Sequence, residues 1–295
     1  MRKEKLDRVV LRRLKLPYGQ TPELKTWKAF VSRLKNPIDE VRIGLVGKYV
    51  ELKDAYKSIA EAIVHGGATN ELKVKLDWIH SEDVNSNNAE RLLGKLDAIL
   101  VAPGFGERGI DGKIEAVRYA REQKIPFLGI CLGMQVAVVE FGRNVLGLED
   151  CNSTEFVENA KNPVISLMEA QKSVVQLGGS MRLGSYACEL KKDSLSYKAY
   201  HSKSINERHR HRYEFNNDFR AVYEEAGVMM AGVNAQLDLV EIIELKDHPF
   251  YIASQFHPEL KSTVENPHPL FTAFVHAAYD QKLRGAKPEN EGKLI

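Results

Sequence analysis

The sequence has few cysteines, almost no imbalance of charge and no long apolar run. It contains three cysteines in 295 residues, a small and odd number that argues against a disulfide scaffold and fits a reducing compartment. Its 42 basic and 40 acidic residues leave a net charge of +2, which does not indicate a nucleic-acid-binding surface. No apolar stretch approaches the roughly 18 residues that a membrane-spanning helix requires. We therefore expect a soluble, cytoplasmic protein that binds neither nucleic acid nor membrane.

The N-terminal segment lacks the features of a secretion signal. It begins MRKEKLDRVVLRRLKL, which has no apolar core and no small-residue cleavage site. The segment is charged and helical in pattern, is interrupted by LPYGQTPEL and closes with KNP. We interpret residues 1–38 as a linker, residues 39–283 as the main domain and residues 284–295 as a polar C-terminal tail, which we expect to be disordered.

Strand-like and helix-like segments alternate through residues 41–142. Short apolar runs rich in β-branched residues predict buried strands, and apolar residues at helical spacing predict the helices between them. This alternation predicts a parallel or mostly parallel sheet. The predicted strands are Val41–Gly47, Leu72–Ile79, Asp97–Gly104 and Ile125–Cys131, and the predicted helices are Asp54–Ala68 (with Gly66 and Gly67 as its stop signal), Asp111–Lys124 and Leu132–Gly142.

After about residue 170 the pattern changes to strands with few helices between them. SYACELK, HRYEF, VNAQLDLVEIIEL and FYIASQF are all strand-like, and a closing helix is predicted at Pro269–Leu283. We expect Asn152–Gln171 to be a long loop with a short helix. The predicted fold class is therefore α/β, with an open, mostly parallel central sheet flanked by helices and antiparallel strands added in the C-terminal half.

The stretch FLGICLGMQ places Cys131 between a predicted strand and a predicted helix, with Gly129 and Gly133 on either side. This layout is typical of a nucleophile elbow, in which glycines allow a tight strand-to-helix turn. The helix N-terminus favours a thiolate, and the N–H of Leu132 would point to a developing oxyanion. A buried structural cysteine is the alternative. Cys151 and Cys188 lack this context and are interpreted as structural.

A cysteine nucleophile needs a base, and the base needs an orienting group. Among nine histidines, His257 stands out in SQFHPEL, at the end of an apolar strand. Pro258 then holds Glu259 two residues away, where its carboxylate can reach the far nitrogen of the imidazole. Alone, this motif is equally consistent with a surface turn.

A third element is the glycine-rich loop APGFGERG, which follows another predicted strand. Its Gly104 can supply a second backbone N–H to an oxyanion, although a simple turn is the alternative. All three elements fall at the carboxyl ends of predicted strands, where open α/β sheets bind ligands.

Together these residues resemble the class I glutamine amidotransferases, and within that class the glutaminase domains of CTP synthases. The resemblance covers roughly residues 38 to 283. Six segments carry it in order: GLVGKYVELKDAYKSIAEA, GFGERGIDGKI, FLGICLGMQ, GGSMRLGSYAC, ERHRHRYEFNN and QFHPEL.

The resemblance implies a Cys131–His257–Glu259 triad that hydrolyses L-glutamine through a thioester to glutamate and ammonia. It also implies an oxyanion hole at Gly104 and Leu132. The chemistry of glutamine agrees, because its α-ammonium suits a carboxylate and its α-carboxylate suits a guanidinium. The implied glutamine-binding residues are Gly104, Leu132, Gly133, Met134, Gln135, Glu155 and Arg212.

Two substitutions depart from the family pattern. The oxyanion loop reads Ala-Pro-Gly-Phe-Gly where Pro-Gly-Gly-Phe-Gly is usual, and Leu260 stands where an aromatic residue is common. The alternating arginines and histidines of ERHRHRY leave no clean set of metal ligands, so no metal is predicted.

The largest departure from a complete CTP synthase is the lack of an amidoligase domain. A phosphate-binding loop built on GLVGK would need glycine where Arg42 stands. The resemblance implies that residues 1–38 are the end of that domain and the interdomain linker, and that the domain is a missing partner. The full-length enzyme is expected to be a homotetramer of the pyrimidine pathway that makes CTP from UTP with ATP and Mg²⁺, activated by GTP, with no cofactor in this domain.

Two other functions stay open on the sequence alone. One is a class I glutaminase that serves a different ammonia acceptor, against which the segments GKYVELKDAYKSI and ERHRHRYEFNN argue. The other is a non-enzymatic domain that keeps the fold as a regulatory or assembly surface, against which the intact triad argues.

Overall fold

A mixed sheet with helices on both faces provides the framework for the site. The computed structural model describes residues 3–19, 23–167 and 181–286. Its strands are β1 (Asp39–Gly47), β2 (Leu72–His80), β3 (Ala98–Val101), β4 (Phe127–Ile130), β5 (Cys151–Ser153), β6 (Asn162–Leu167), β7 (Arg182–Leu190), β8 (Ser204–His211), β9 (Tyr213–Phe215), β10 (Val228–Asn234), β11 (Leu239–Leu245) and β12 (Tyr251–Ser254). Its helices are α1 (Leu6–Arg13), α2 (Lys25–Lys35), α3 (Lys57–Thr69), α4 (Ala89–Leu93), α5 (Ile110–Glu122), α6 (Leu132–Asn144), α7 (Leu195–Tyr200), α8 (Arg220–Glu225) and α9 (Pro269–Ala286).

Within the described residues, nine strands form the main sheet in the order β2-β1-β3-β4-β12-β11-β10-β7-β8. The first five run parallel, and β11, β10, β7 and β8 continue the sheet with antiparallel pairings. The α/β prediction is confirmed, including the parallel centre and the antiparallel extension. Because β12 joins β4 on one side and β11 on the other, it links the two halves.

The inner parallel strands β3, β4 and β12 are buried on both faces, which explains their nearly continuous apolar sequences, whereas the edge strand β2 is partly exposed. Successive residues of β3 enter opposite cores: Ala98 and Leu100 pack with α3 and α9, whereas Ile99 and Val101 pack with α5 and α6. This alternation follows from the two-residue period of a strand. The two cores fix the carboxyl ends of β3 and β4 side by side.

Two predictions in the second half are wrong. The stretch 152–167 contains most of β5 and all of β6, which form a small sheet with β9, and no helix; residues 168–171 lie outside the described part of the chain. These strands are short and polar, so they lack the apolar alternation that would have revealed them. The segments HRYEF and VNAQLDLVEIIEL are also not single strands, since β8 ends at His211 and β9 begins at Tyr213, while β10 ends at Asn234 and β11 begins at Leu239.

Gly66 and Gly67 do not stop a helix, because α3 continues to Thr69. A Cβ at Gly66 would lie 2.8 Å from the carbonyl oxygen of Phe271, so glycine there permits close packing of α3 on α9. Helix α9 in turn runs to Ala286, three residues into the predicted tail, and residues 287–295 lie outside the described part. None of the described helices is both long enough and apolar enough to span a bilayer.

Candidate active site

Cys131 occupies a sharp corner between β4 and α6. Its backbone has φ 53° and ψ −104°, and α6 begins at the next residue. Its N–H donates to the carbonyl oxygen of Ser254 at 2.7 Å, which ties the corner to the end of β12. A non-glycine residue with positive φ is uncommon and is typical of functional turns. The strand–turn–helix corner predicted from FLGICLGMQ is therefore present.

The two glycines beside Cys131 are required by close backbone contacts. A Cβ at Gly129 would lie 2.9 Å from the carbonyl carbon of Gly133, and a Cβ at Gly133 would collide with the carbonyl oxygen of Val101. Any larger residue would push α6 away from β3 and β4. The Gly-x-Cys-x-Gly pattern is thus a packing requirement of the corner.

His257 and Glu259 lie directly after β12. His257 Nδ1 is 2.7 Å from Glu259 Oε1, the contact that the HPE motif predicted. The backbone N–H of His257 donates to the carbonyl oxygen of Arg208 at 2.8 Å, which attaches this segment to β8. Both side chains are buried, so Glu259 holds the ring in a fixed orientation.

The opposite nitrogen of the His257 ring is left free within the described chain. His257 Nε2 is buried without a hydrogen-bond partner there. Burial alone would lower the pKa of His257, but the Cys131 and Glu259 side chains outweigh it and raise that pKa well above its usual value. An imidazolium beside a cysteine favours the thiolate, which is the nucleophilic form.

The loop that carries Gly104 packs against the start of α6. A Cβ at Gly104 would lie 3.3 Å from Leu132 Cδ2, so the two predicted oxyanion-hole residues are neighbours. Leu132 is the first residue of α6, and amides of a first helical turn have no partner within their helix. The prediction that their two backbone N–H groups act together concerns residues that lie side by side.

Two lysines that the sequence analysis missed hold this loop by its carbonyl oxygens. Lys113 Nζ donates to Ala102 at 2.6 Å, and Lys48 Nζ donates to Phe105 and Gly106 at 2.8 Å each. Because the carbonyl oxygens of Ala102, Phe105 and Gly106 accept these hydrogen bonds, the peptide units that contain them are fixed in orientation. These contacts hold the backbone on either side of Gly104.

Lys113 is fully buried in α5. Its burial, together with the nearby Lys48, lowers its pKa to about 7, and Cys131 opposes that change. The signal in the sequence was its place on the apolar stripe of α5, between Ile110 and Val117, where a lysine is unexpected.

A cavity of about 380 Å³ opens beside the nucleophile. Glu155 and Arg212 stand on its wall, so the two charged residues predicted to bind glutamine share one space with Cys131. Burial raises the pKa of Glu155, whereas the N–H of Gly106, Lys48 and Arg212 counteract that rise. The residues that line the cavity are Gly104, Phe105, Cys131, Gln135, Glu155, Met181, His211, Arg212 and Tyr213.

Leu132, Gly133 and Met134 are not among these lining residues. Their side chains, where they have one, are buried in the core under α6, so the prediction that they bind substrate depends on their backbone groups. Gln135 does line the cavity, but its amide nitrogen already donates to Tyr213 O at 3.1 Å and to Gln255 Oε1 at 3.3 Å.

A buried charged cluster behind the site was also missed by the sequence analysis. Arg182 donates to Glu241 at 2.6 Å and to Glu214 at 3.3 Å. Beside them, His209 Nδ1 and His211 Nε2 are 2.8 Å apart, and burial lowers the pKa of His211 to about 3. Within the described residues, no group of three or more His, Cys, Asp or Glu side chains has the geometry to hold a metal ion.

Comparison with known proteins bears directly on this arrangement. The family described as "Glutamine amidotransferase class-I" matches residues 51–277, which include the nucleophile corner, the cavity residues and the HPE segment. The chain belongs to the class I glutamine amidotransferase family.

Among class I glutamine amidotransferases, the chain matches the glutaminase domain of CTP synthases. It is 61% identical over 280 residues to a CTP synthase of Cytophaga hutchinsonii and 57% identical over 284 residues to one of Christiangramia forsetii. These alignments cover 95% and 96% of this chain and 52% of each relative. The chain therefore spans about half the length of the curated relatives it matches.

A solved structure agrees with that match. The Trypanosoma brucei CTPS glutaminase domain with bound acivicin superimposes with a TM-score of 0.78 at 36% sequence identity, covering 81% of this chain and 94% of that one. The resemblance inferred from six sequence segments is thereby confirmed at the level of the domain.

Proposed function

We propose that this class I glutamine amidotransferase domain hydrolyses L-glutamine to glutamate and ammonia through Cys131, His257 and Glu259. The observation that carries the proposal is the thiol at a strained corner beside an imidazole that Glu259 orients and whose pKa is raised. A cysteine, a base and an orienting carboxylate are the parts that covalent acyl transfer needs.

The reaction follows from the chemistry of those parts. The Cys131 thiolate attacks the side-chain amide carbon of glutamine, and the C–O π electrons move to oxygen, where the N–H groups of Gly104 and Leu132 stabilise the anion. Collapse breaks the C–N bond, and the His257 imidazolium protonates the leaving nitrogen. Water then attacks the thioester, His257 takes its proton, the C–S bond breaks, and glutamate and the thiolate are released.

Recognition of glutamine would use the two charged residues on the cavity wall. The Glu155 carboxylate suits the α-ammonium, and the Arg212 guanidinium suits the α-carboxylate. Backbone amides of residues 132–135 would align the side-chain amide with Cys131. A site with one charge of each sign would select glutamine over a simple amide, which has neither an α-ammonium nor an α-carboxylate.

The part of the related CTP synthases that this chain does not cover suggests where the ammonia is used. We propose that the whole protein is a cytoplasmic CTP synthase, in which an amidoligase domain outside residues 39–283 uses the ammonia to convert UTP to CTP with ATP and Mg²⁺. Residues 1–38 would link the two domains, and residues 284–295 would form a tail. GTP activation and a homotetramer belong to this same proposal.

Glutamate release from glutamine tests the proposal directly. We expect slow release by this chain alone, complete loss in Cys131→Ala, and no loss in Cys188→Ala, a matched control that removes another buried thiol. Release would be followed by a coupled glutamate assay with and without GTP. Retention of activity by Cys131→Ala together with loss in Cys188→Ala would refute the assignment of the nucleophile.

A further inference from the structure

A buried glutamine touches the sulfur of the nucleophile. Gln255 follows β12 directly, its side chain is fully buried, and its Nε2 lies 3.7 Å from Cys131 Sγ. An N–H group at this distance from sulfur is within hydrogen-bonding reach. Gln255 is not one of the triad residues, and membership of the family does not by itself give it a role.

Neighbouring groups fix which way the Gln255 amide faces. The carbonyl oxygen of Tyr213 can only accept, so Gln135 must present its NH₂ group there, at 3.1 Å. The second hydrogen of the same NH₂ is directed to Gln255, 3.3 Å away, which must therefore present its oxygen. The nitrogen of Gln255 is then left facing Cys131.

The backbone holds this arrangement in place. Ser254 of β12 is paired with Ile130 of β4, so the next residues, Gln255 and Cys131, lie side by side beyond the strand ends. The N–H of Gln255 donates to the carbonyl oxygen of Glu241 at 2.8 Å, which ties Gln255 to β11 as well. Sheet register, and not a flexible loop, positions this amide.

We propose that Gln255 is a catalytic residue that donates a hydrogen bond to the Cys131 sulfur, with Gln135 as the residue that positions it. The role rests on the proposed glutaminase chemistry and deepens it. Negative charge resides on sulfur before attack and returns to sulfur when the C–S bond of the thioester breaks. A fixed N–H donor favours both of those states over the neutral thioester.

Alkylation of Cys131 measures this contact without any need for glutamine turnover. The chain would be treated with iodoacetamide from pH 5 to 10, and labelling at each cysteine would be quantified by mass spectrometry of its peptide. Cys151 and Cys188 are buried thiols and report any loosening of the fold. The titratable and charged groups around Cys131 stay unchanged in every variant: His257, Lys113, His211, Glu155 and Arg212.

In Gln255→Leu we expect the midpoint of the Cys131 pH–rate curve to move up by about one pH unit, which is about tenfold slower labelling below both midpoints. Gln255→Met has a similar length and no charge, but its thioether cannot donate, so its midpoint should rise as far. Gln135→Met should give a smaller rise, with about threefold slower labelling, because Gln255 keeps its donor and loses its orientation.

Midpoints for Gln255→Leu and Gln255→Met that coincide with that of the unsubstituted chain, with Cys151 and Cys188 still protected, would overturn the role of Gln255. If Gln255→Leu exposes Cys151 or Cys188, the more closely matched Gln255→Met variant decides. Failure of the proposed function would look different, because Cys131 of the unsubstituted chain would then react no faster than Cys151 and Cys188 at pH 7.

Discussion

The parallel and antiparallel halves of the main sheet bury different chemistry. Strands β1, β3 and β4 are covered on both faces by apolar side chains. The antiparallel half buries Arg182, Glu241 and His209, each less than 5% exposed. Burying charge is costly unless each group is paired, so these three side chains depend on specific contacts, whereas β1, β3 and β4 depend on packing. The nucleophile comes from the first half, and its base follows the strand that joins the two.

Two ion pairs, one from each half, allow a direct comparison. In the parallel half, Arg118 and Glu115 of α5 pair at 2.6 Å near the surface. In the antiparallel half, Arg182 pairs with Glu241 at the same distance, but both side chains are almost fully buried. The two pairs have the same N–O distance, but loss of the buried pair should cost much more unfolding free energy than loss of the surface pair. Four substitutions test this contrast between the halves, from the largest expected effect to the smallest.

Arg182→Met should give the largest effect. It would leave Glu241 and Glu214 buried without their cation, which costs about 3–5 kcal/mol of unfolding free energy at pH 8. Burial already raises the pKa of Glu241, and loss of Arg182 raises it further, so the variant carboxyls take up protons as the pH falls. Urea unfolding at pH 8 and pH 5 should thus show a smaller loss at pH 5. The double variant with Glu241→Gln should recover part of it, and equal stability of Arg182→Met and the unsubstituted chain would contradict this account.

Gly133→Ala tests the close packing of the parallel half. The added Cβ would collide with the carbonyl oxygen of Val101, and overpacking of this kind costs about 1–3 kcal/mol. Gly285→Ala is the matched control, since no atom of the described residues lies within 4 Å of its Cβ position. Thermal unfolding of both variants would be compared. A Gly133→Ala variant as stable as Gly285→Ala would show that the corner at Cys131 is not tightly packed.

Lys113→Met tests a lysine that is fully buried in the parallel half. Burial lowers the pKa of Lys113 to about 7, below its value in an unfolded chain, so the unfolded state binds more protons between about pH 7 and pH 10. The contribution of Lys113 to stability must therefore rise with pH across that window, by up to about 1.4 kcal/mol per pH unit. The difference in unfolding free energy between the unsubstituted chain and Lys113→Met, measured from pH 6.5 to 9.5, should increase accordingly. A constant difference would rule out a titrating Lys113.

Glu115→Gln should have the smallest effect. It removes one partner of Arg118, which keeps its pair with Glu122 at 2.9 Å, and loss of an i,i+3 pair costs about 0.5 kcal/mol. The same urea titration used for Arg182→Met would measure it, with and without added salt. A loss as large as that of Arg182→Met would erase the distinction between the two halves.

The parts that sequence predicted well are local patterns. The corner at Cys131 follows from two glycines placed four residues apart, and the contact of His257 with Glu259 follows from the proline between them. The parallel strands could be located because burial on both faces leaves a continuous apolar run. In each case the physical cause lies within a few residues of its effect.

The parts that were missed depend on distant segments. Lys48 and Lys113 meet at one loop only after β1 and α5 are packed, and Gln255 reaches Cys131 across 124 residues of sequence. Strands β5 and β6 are not visible in the sequence because the pairing of β5 with β6 and of β6 with β9, and not their composition, makes them strands. No periodicity in a single sequence carries such information.

The central position of β12 determines when the site can exist. This strand begins at Tyr251, close to the C-terminal end of the domain, yet it lies between β4 and β11 in the middle of the sheet. A ribosome delivers Cys131 long before it delivers His257, and pairing of strands so distant in sequence is a late event in folding. A nascent or truncated chain thus carries a nucleophile without its base, and the chemistry becomes possible only when nearly the whole domain has been made.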